Sequence, residues 1–194
     1  KKDERIRIIK NKKKMGAGLS RNIGISSSTG NYIAFLDADD TWEADKLSKQ
    51  MSFMTDNNYL ASHTSYQIVD QYRNIIGNRV ARSFLNLEDL LKSCDIGTST
   101  VIIKKNILDD QIKFPSIKTK EDFVLWLRIL ERDIKIYGLD INLSKWTKSN
   151  SSLSSSTIQK LKDGFKVYNK YMNFNSLKSL YYLICLSLNF IIKK

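Results

Sequence analysis

The stretch Leu36-Asp37-Ala38-Asp39-Asp40 places three carboxylates within four positions. Like charges this close disfavour one another's ionisation, so a cation is the usual relief, and hard oxygen ligands suit Mg²⁺ or Mn²⁺. The competing reading is structural, with Asp40 as a helix N-cap and Asp37 and Asp39 as solvated turn residues. What precedes the acids favours chemistry. Tyr32-Ile33-Ala34-Phe35-Leu36 is a continuous apolar run, the pattern of a strand buried on both faces of a parallel sheet, and open α/β sheets bind ligands at the carboxyl ends of such strands.

A second acidic group, Glu121-Asp122, opens a stretch in which Phe123, Trp126, Leu127 and Leu130 form one helical face. Acids in a first helical turn are stabilised by the helix dipole, which is reason enough for their presence. Beside a metal-bound substrate, the same carboxylates offer a general base.

These groups need elements to hold them. Leu19 and Ile23 read as one face of a short helix after the glycine-punctuated loop Lys10 to Gly18, and Arg5 to Ile9 reads as a strand. Asp40 with Glu43 resembles a capping box. With Ala44, Leu47, Met51 and Met54 as an apolar face, it predicts a helix from about Thr41 to Asp56. Strands are expected at 60–69, 98–104 and 134–137, and helices at 87–93 and 121–132. The alternation predicts an α/β fold. From Leu143 to Thr157 the chain turns polar and serine-rich, as loops do. Beyond it, Ile158, Leu161, Phe165, Tyr168 and Met172 predict a helix with one apolar stripe, and a final apolar helix ends at Lys193-Lys194. A boundary is placed near residue 150, separating 1–150 from a helical segment at 151–194.

The chain has 194 residues, 42% hydrophobic, so it is far from disordered composition and long enough for one domain with an appendage. A net charge of +12 favours anionic partners, among them nucleic acid, acidic lipid and phosphorylated small molecules. Apart from Lys12 to Lys14 the basic residues are scattered rather than interleaved with aromatics, so nucleic acid is not the expected partner. Cys94 and Cys185 lack metal-like spacing and read as reduced core thiols. The lone histidine, His63, reads as structural, and Trp126 as core. The longest apolar stretch, Leu180 to Ile192, falls short of the ~20 residues a membrane-spanning helix needs. A cytoplasmic protein is expected, with the final helix lying at the inner face of the cell membrane.

The residues carry a family resemblance. GLSRNIGI at 18–25, GNYIAFLDADDTW at 30–42 and KLSKQ at 46–50 resemble the middle of family 2 glycosyltransferases, the GT-A-fold enzymes that use nucleotide-sugar donors. EDFVLWLRIL resembles that family's second signature, about eighty residues after the first, and SNSSLSSS its serine-bearing loop. The resemblance implies a GT-A-like (Rossmann-like) mixed sheet flanked by helices, lacking its first ~60 residues at ~30 per βαβ unit, with a C-terminal helical appendage. It implies that Asp37 lies near the donor, which is read as a UDP-sugar. Asp39 would bind the divalent metal (Mn²⁺ or Mg²⁺), and Asp122 would be the base for inverting transfer to a saccharide or lipid-linked acceptor, assisted by Glu121. Arg21 and Asn22 would reach the donor phosphates, and Ser151 to Ser156 could form a flap. The alternatives are a glycosidase with paired carboxylates, or a non-catalytic basic module or inactive fragment on membrane or nucleic acid.

Overall fold

The computed structural model describes residues 3–148 and 156–192. Its strands are β1 (Tyr32–Ala34), β2 (Thr41–Trp42), β3 (Ala61–Val69), β4 (Ile75–Arg79), β5 (Phe84–Leu85), β6 (Ile102–Lys104) and β7 (Ile136–Thr147). Its helices are α1 (Ala17–Ser27), α2 (Lys46–Asp56), α3 (Leu87–Lys92), α4 (Glu121–Glu131), α5 (Thr157–Lys166) and α6 (Ser176–Ile192). The sheet runs β1-β6-β3-β7-β2, with β4 added to β3 and β5 to β7. Only β3 and β7 pair in parallel, from Ser62 opposite Tyr137 to Val69 opposite Thr147, so the α/β sheet is mixed.

The core lies between this sheet and α4. Its residues Phe123 to Leu127, Ile129 and Leu130 are buried almost all round the helix, more than one face, because helices cover it as well. Phe123 meets Tyr168 edge-on, and the Tyr168 hydroxyl donates to the Leu91 carbonyl at 2.7 Å. Tyr182 and Leu186 of α6 belong to the same buried cluster, and the Tyr182 hydroxyl lies 2.9 Å from Glu88 of α3. The segment after residue 156 is therefore packed on the sheet-bearing part, and the serine loop lies outside the described residues.

Several expectations are corrected. Arg5 to Ile9 forms no strand. No partner pairs with it among the described residues, and Ile8 is 82% exposed. The run at Tyr32 to Leu36 supplies only a three-residue strand at one end of the sheet path, antiparallel to β6, with Ala34 exposed. The helix expected from Thr41 begins at Lys46. Thr41 and Trp42 pair with Lys145 and Ser144, and the Glu43 N–H donates to the Leu143 carbonyl, so these backbone groups already belong to the sheet. The inward row of α2 is Lys46, Gln50 and Met54, which shares only Met54 with the predicted apolar face. Lys46 Nζ donates to Gln50 at 2.7 Å and sits over the Trp42 ring, while Gln50 donates to Ser62 and to the Thr100 carbonyl. That chain of contacts accounts structurally for the KLSKQ motif. β7 continues through the stretch read as a loop from Leu143. In the C-terminal stripe, Ile158 and Leu161 are exposed whereas Tyr168 and Met172 are buried. A π-helical turn, Val167–Tyr171, changes the period between them and rotates the inward face.

His63 is buried on β3, and neither ring nitrogen has a hydrogen-bond partner in the structure. Burial pulls its imidazole down from 6.5 to about 4, opposed only by the charge of Asp95. The unfolded chain therefore takes up the proton first, so this contribution to stability is intact above about pH 6.5 and is lost as pH falls towards 4. The loss is on the order of 3 kcal/mol. Urea unfolding at pH 7 and pH 4.5 should show that loss in the unsubstituted protein and a smaller one in His63→Phe. An identical pH dependence in both proteins would place the acid sensitivity elsewhere.

Candidate active site

The acid run forms a tight turn, closed by the Asp40 N–H on the Asp37 carbonyl at 3.1 Å. The polar groups of Asp37 and Asp40 and the Asp39 carbonyl are anchored. The Asp37 N–H donates to Ser99 Oγ at 3.0 Å, and the Ser99 hydroxyl donates to Asp40 Oδ2 at 2.5 Å. Asp40 Oδ1 accepts the Thr147 N–H at 3.0 Å, and the Asp39 carbonyl accepts the Thr147 hydroxyl at 2.5 Å. Asp40 is buried and neither caps a helix nor faces solvent. Burial raises its carboxyl, the Ser99 and Thr147 hydrogen bonds lower it, and the charges of Asp37 and Asp39 push it up again, leaving it above the usual carboxylate value. Asp39 is exposed, and its carboxylate has no hydrogen-bond or ion-pair partner among the described residues.

Arg21 joins this turn to α4. Its guanidinium donates to Asp37 Oδ1 at 2.6 Å and to Glu121 Oε1 at 2.7 Å, with 17% of its side chain exposed. Glycine makes the approach possible. A Cβ on Gly18 would stand 3.0 Å from Glu121 Cγ and 3.1 Å from the Pro115 carbonyl, so α1 lies directly against the first turn of α4. Burial disfavours the Arg21 charge, but Asp37 and then Glu121 outweigh it and hold the guanidinium above its usual value. Glu121 is raised, first by burial and then by the neighbouring Asp122, against the pull of its backbone hydrogen bond and Arg21.

Asp122 accepts the Thr98 hydroxyl on Oδ2 at 3.0 Å and the Phe123 N–H on Oδ1 at 2.7 Å. Lys120, the residue before the helix, has a left-handed backbone with φ of 64°, and α5 secures the approach to it: Asp163 accepts both the N–H and the hydroxyl of Thr119 at 3.0 Å. Of the residues singled out by sequence, Asp37, Arg21 and Glu121 are directly linked, and Asp122 reaches the acid turn through Thr98 and Ser99. Asn22 is not part of that group. Its amide exchanges hydrogen bonds with the Phe114 backbone at 2.8 and 3.0 Å, fastening α1 to that segment. The Arg21 guanidinium is engaged by Asp37 and Glu121. Sequence reasoning missed Thr98, Ser99, Thr147 and Asp163. The hydroxyl run Thr98-Ser99-Thr100 after Gly97 was the available signal.

No group of three or more His, Cys, Asp or Glu arranged to hold a metal occurs among the described residues. Crowding of the acids does not by itself require a cation, since Arg21 offsets Asp37 and hydrogen bonds hold Asp40. The donor set does fit a metal bound by one carboxylate, Asp39, with ligand phosphate oxygens completing the shell.

Replacing Arg21 by methionine leaves Glu121 partly buried without its counter-charge. The expected cost is about 2–3 kcal/mol in urea unfolding, below the ~3–5 kcal/mol of a fully buried pair because Asp37 is 36% exposed. Arg21→Lys keeps the charge but not the two-pronged geometry and should lose less. Stability unchanged in Arg21→Met would show that the bridge contributes nothing.

The family model described as glycosyl transferase family 2 matches residues 1–111. WfgD of Escherichia coli, named a UDP-Glc:alpha-D-GlcNAc-diphosphoundecaprenol beta-1,3-glucosyltransferase, is 36% identical over 183 residues, covering 94% of this chain and 71% of WfgD. TuaG of Bacillus subtilis (strain 168), provisionally assigned as a teichuronic acid biosynthesis glycosyltransferase, is 31% identical over 193 residues, covering 99% of this chain and 76% of TuaG. Among solved structures, S. aureus TarS 1-349 in complex with UDP-GlcNAc matches with a TM-score of 0.62 at 18% identity, a likeness of fold. The match covers 87% of this chain and 51% of that one, so the chain spans about half the length of the TarS structure. With the family model over more than half of its residues and two glycosyltransferases this similar along nearly all of it, the chain belongs to glycosyl transferase family 2 and has the GT-A fold.

Proposed function

We propose that the protein transfers a sugar, with inversion, from a nucleoside-diphosphate sugar bound at the Asp37–Asp40 turn to a saccharide or lipid-linked hydroxyl. The observation that carries this reading is the division of labour among the acids. Asp37 and Asp40 are committed to Arg21, Ser99 and Thr147, whereas the Asp39 carboxylate has no partner among the described residues. Asp39 would hold a divalent ion, Mn²⁺ or Mg²⁺, which when bound stabilises the charge developing on the departing diphosphate. Asp122 takes the proton from the acceptor hydroxyl. Glu121, kept in place by Arg21, lines the acceptor side. UDP is the favoured nucleotide because WfgD is named for UDP-Glc and TarS was solved with UDP-GlcNAc.

A lipid-linked acceptor, as in the name of WfgD, agrees with α6. No helix among the described residues is long and apolar enough to cross a membrane. Yet α6 buries only Ser179, Tyr182 and Leu186, and turns Leu177, Leu180, Ile184, Leu188 and Ile191 outward, with Leu177 83% exposed. That stripe, with Lys178 exposed on the same helix and Lys193 and Lys194 following it outside the described residues, suits an anionic lipid surface at the inner face of the cell membrane.

In the full-length protein, Asp39→Ala should lose Mn²⁺-dependent UDP binding by calorimetry. Asp122→Asn should keep that binding and lower turnover by roughly 10²-fold. Unchanged affinity in the first or near-normal transfer in the second would remove the respective role. The unsubstituted protein should co-sediment with phosphatidylglycerol-containing vesicles and less with phosphatidylcholine alone. Ile184→Glu combined with Leu188→Glu should abolish the difference. Equal sedimentation of both proteins with anionic vesicles would discard the lipid reading in favour of subunit packing.

A further inference from the structure

Three consecutive buried residues, Thr98, Ser99 and Thr100, form a single 3₁₀ turn between α3 and β6. A buried hydroxyl normally satisfies itself locally, as Thr100 does by donating to the Gly97 carbonyl at 2.7 Å. The other two do not. The Thr98 hydroxyl donates to Asp122 at 3.0 Å, and the Ser99 hydroxyl donates to Asp40 at 2.5 Å while accepting the Asp37 N–H at 3.0 Å. Neighbouring residues on one turn thus grip the first turn of α4 and the acid turn, elements more than eighty positions apart in the chain.

The turn is itself held from three sides. The Ser99 carbonyl accepts Trp42 Nε1 at 2.7 Å and the Ser144 hydroxyl at 3.2 Å, and the Thr100 carbonyl accepts Gln50 Nε2 at 2.9 Å. Its anchors come from β2, β7 and α2, so it is a rigid platform.

Resting on the reading of Asp39 and Asp122 above, we propose that Thr98 and Ser99 are positioning residues that set the base and the metal-binding turn in register with one another. The polarity of Ser99 makes the role specific to a hydroxyl. Its one proton is committed to Asp40 and a lone pair to the Asp37 N–H, so alanine loses both contacts at once. Losing them loosens the turn that presents Asp39, leaving Thr147 and Arg21 to hold it, which weakens donor binding. Losing the Thr98 hydroxyl leaves the acid turn held and frees only Oδ2 of Asp122, whose Oδ1 still accepts the Phe123 N–H, which lowers turnover. A purely structural pair would lower stability without separating these two effects.

The test uses the full-length protein with UDP and Mn²⁺ as binding probes and, for turnover, the nucleotide sugar that the unsubstituted protein consumes. Ser99→Ala should weaken calorimetric UDP–Mn²⁺ affinity about tenfold or more, the scale of one or two lost hydrogen bonds. Thr98→Val should leave that affinity within about twofold and lower turnover at saturating donor about tenfold or more, with Thr98→Ser restoring it. Thermal melts accompany each variant, and Ser99→Thr, which keeps the hydroxyl, separates its loss from a loss of fold. Normal affinity in Ser99→Ala, or normal turnover in Thr98→Val, overturns the register while leaving the active-site reading intact. Failure of the unsubstituted protein to bind UDP with Mn²⁺ overturns both.

Discussion

The site depends on one guanidinium. Arg21 stands between Asp37, on the turn after β1, and Glu121, at the start of α4, and its two-pronged planar geometry lets a single side chain meet both. The groups around it are consequences of that bridge. α1 must lie close enough to α4 that position 18 tolerates only glycine without displacement, and one turn further on the Asn22 amide fixes the same face of the helix to the Phe114 backbone. A carboxylate as poorly hydrated as Glu121 is tolerable because a permanent cation lies 2.7 Å away.

This arrangement changes the meaning of the acid cluster. Three neighbouring carboxylates suggest a shared cation, yet the fold satisfies two of them with its own groups and leaves the third to solvent. An ion bound there meets one exposed carboxylate rather than a cage, and its remaining ligands must come from elsewhere. That is the coordination Mg²⁺-type ions adopt with phosphates, in which metal and nucleotide are weak ligands apart and strong ones together. On the reading proposed above, Asp39 would serve a substrate-borne ion rather than a resident structural one.

What the sequence disclosed follows from the kind of signal each element leaves. The apolar spacing of 121–132, the run at 60–69 and the acid pair at a helix start are local patterns, and α4, β3 and Glu121-Asp122 lie where those patterns put them. The acids of 37–40 were legible as a cluster, but not their different fates, which are decided by Ser99 and Thr147, both remote in the chain. The false start of α2 has the same cause. Asp40 and Glu43 have the composition of a capping box, but pairing of Thr41 and Trp42 with β7 takes their backbone first, a tertiary contact that no local pattern contains. Arg21 was legible as a cation near the site, but not its bridge between two carboxylates, because those partners lie 16 and 100 positions away.

The C-terminal helices join this logic from the far side of α4. Asp163 of α5 holds Thr119, Tyr168 holds both Phe123 and the end of α3, and Tyr182 of α6 reaches Glu88. Their inner faces therefore brace the helix that bears Asp122, while the outer face of α6 is left apolar. A helix that only needed to brace would gain solubility from polar residues on its outer side, as surface helices ordinarily carry. Retaining Leu180, Ile184 and Leu188 there leaves an exposed apolar surface on the helices that brace α4. On the proposed reading, a surface bound by α6 would be connected through these helices to α4 and Asp122. For a transferase whose acceptor is anchored in a lipid layer, that connection converts attachment to the layer into orientation of the active site.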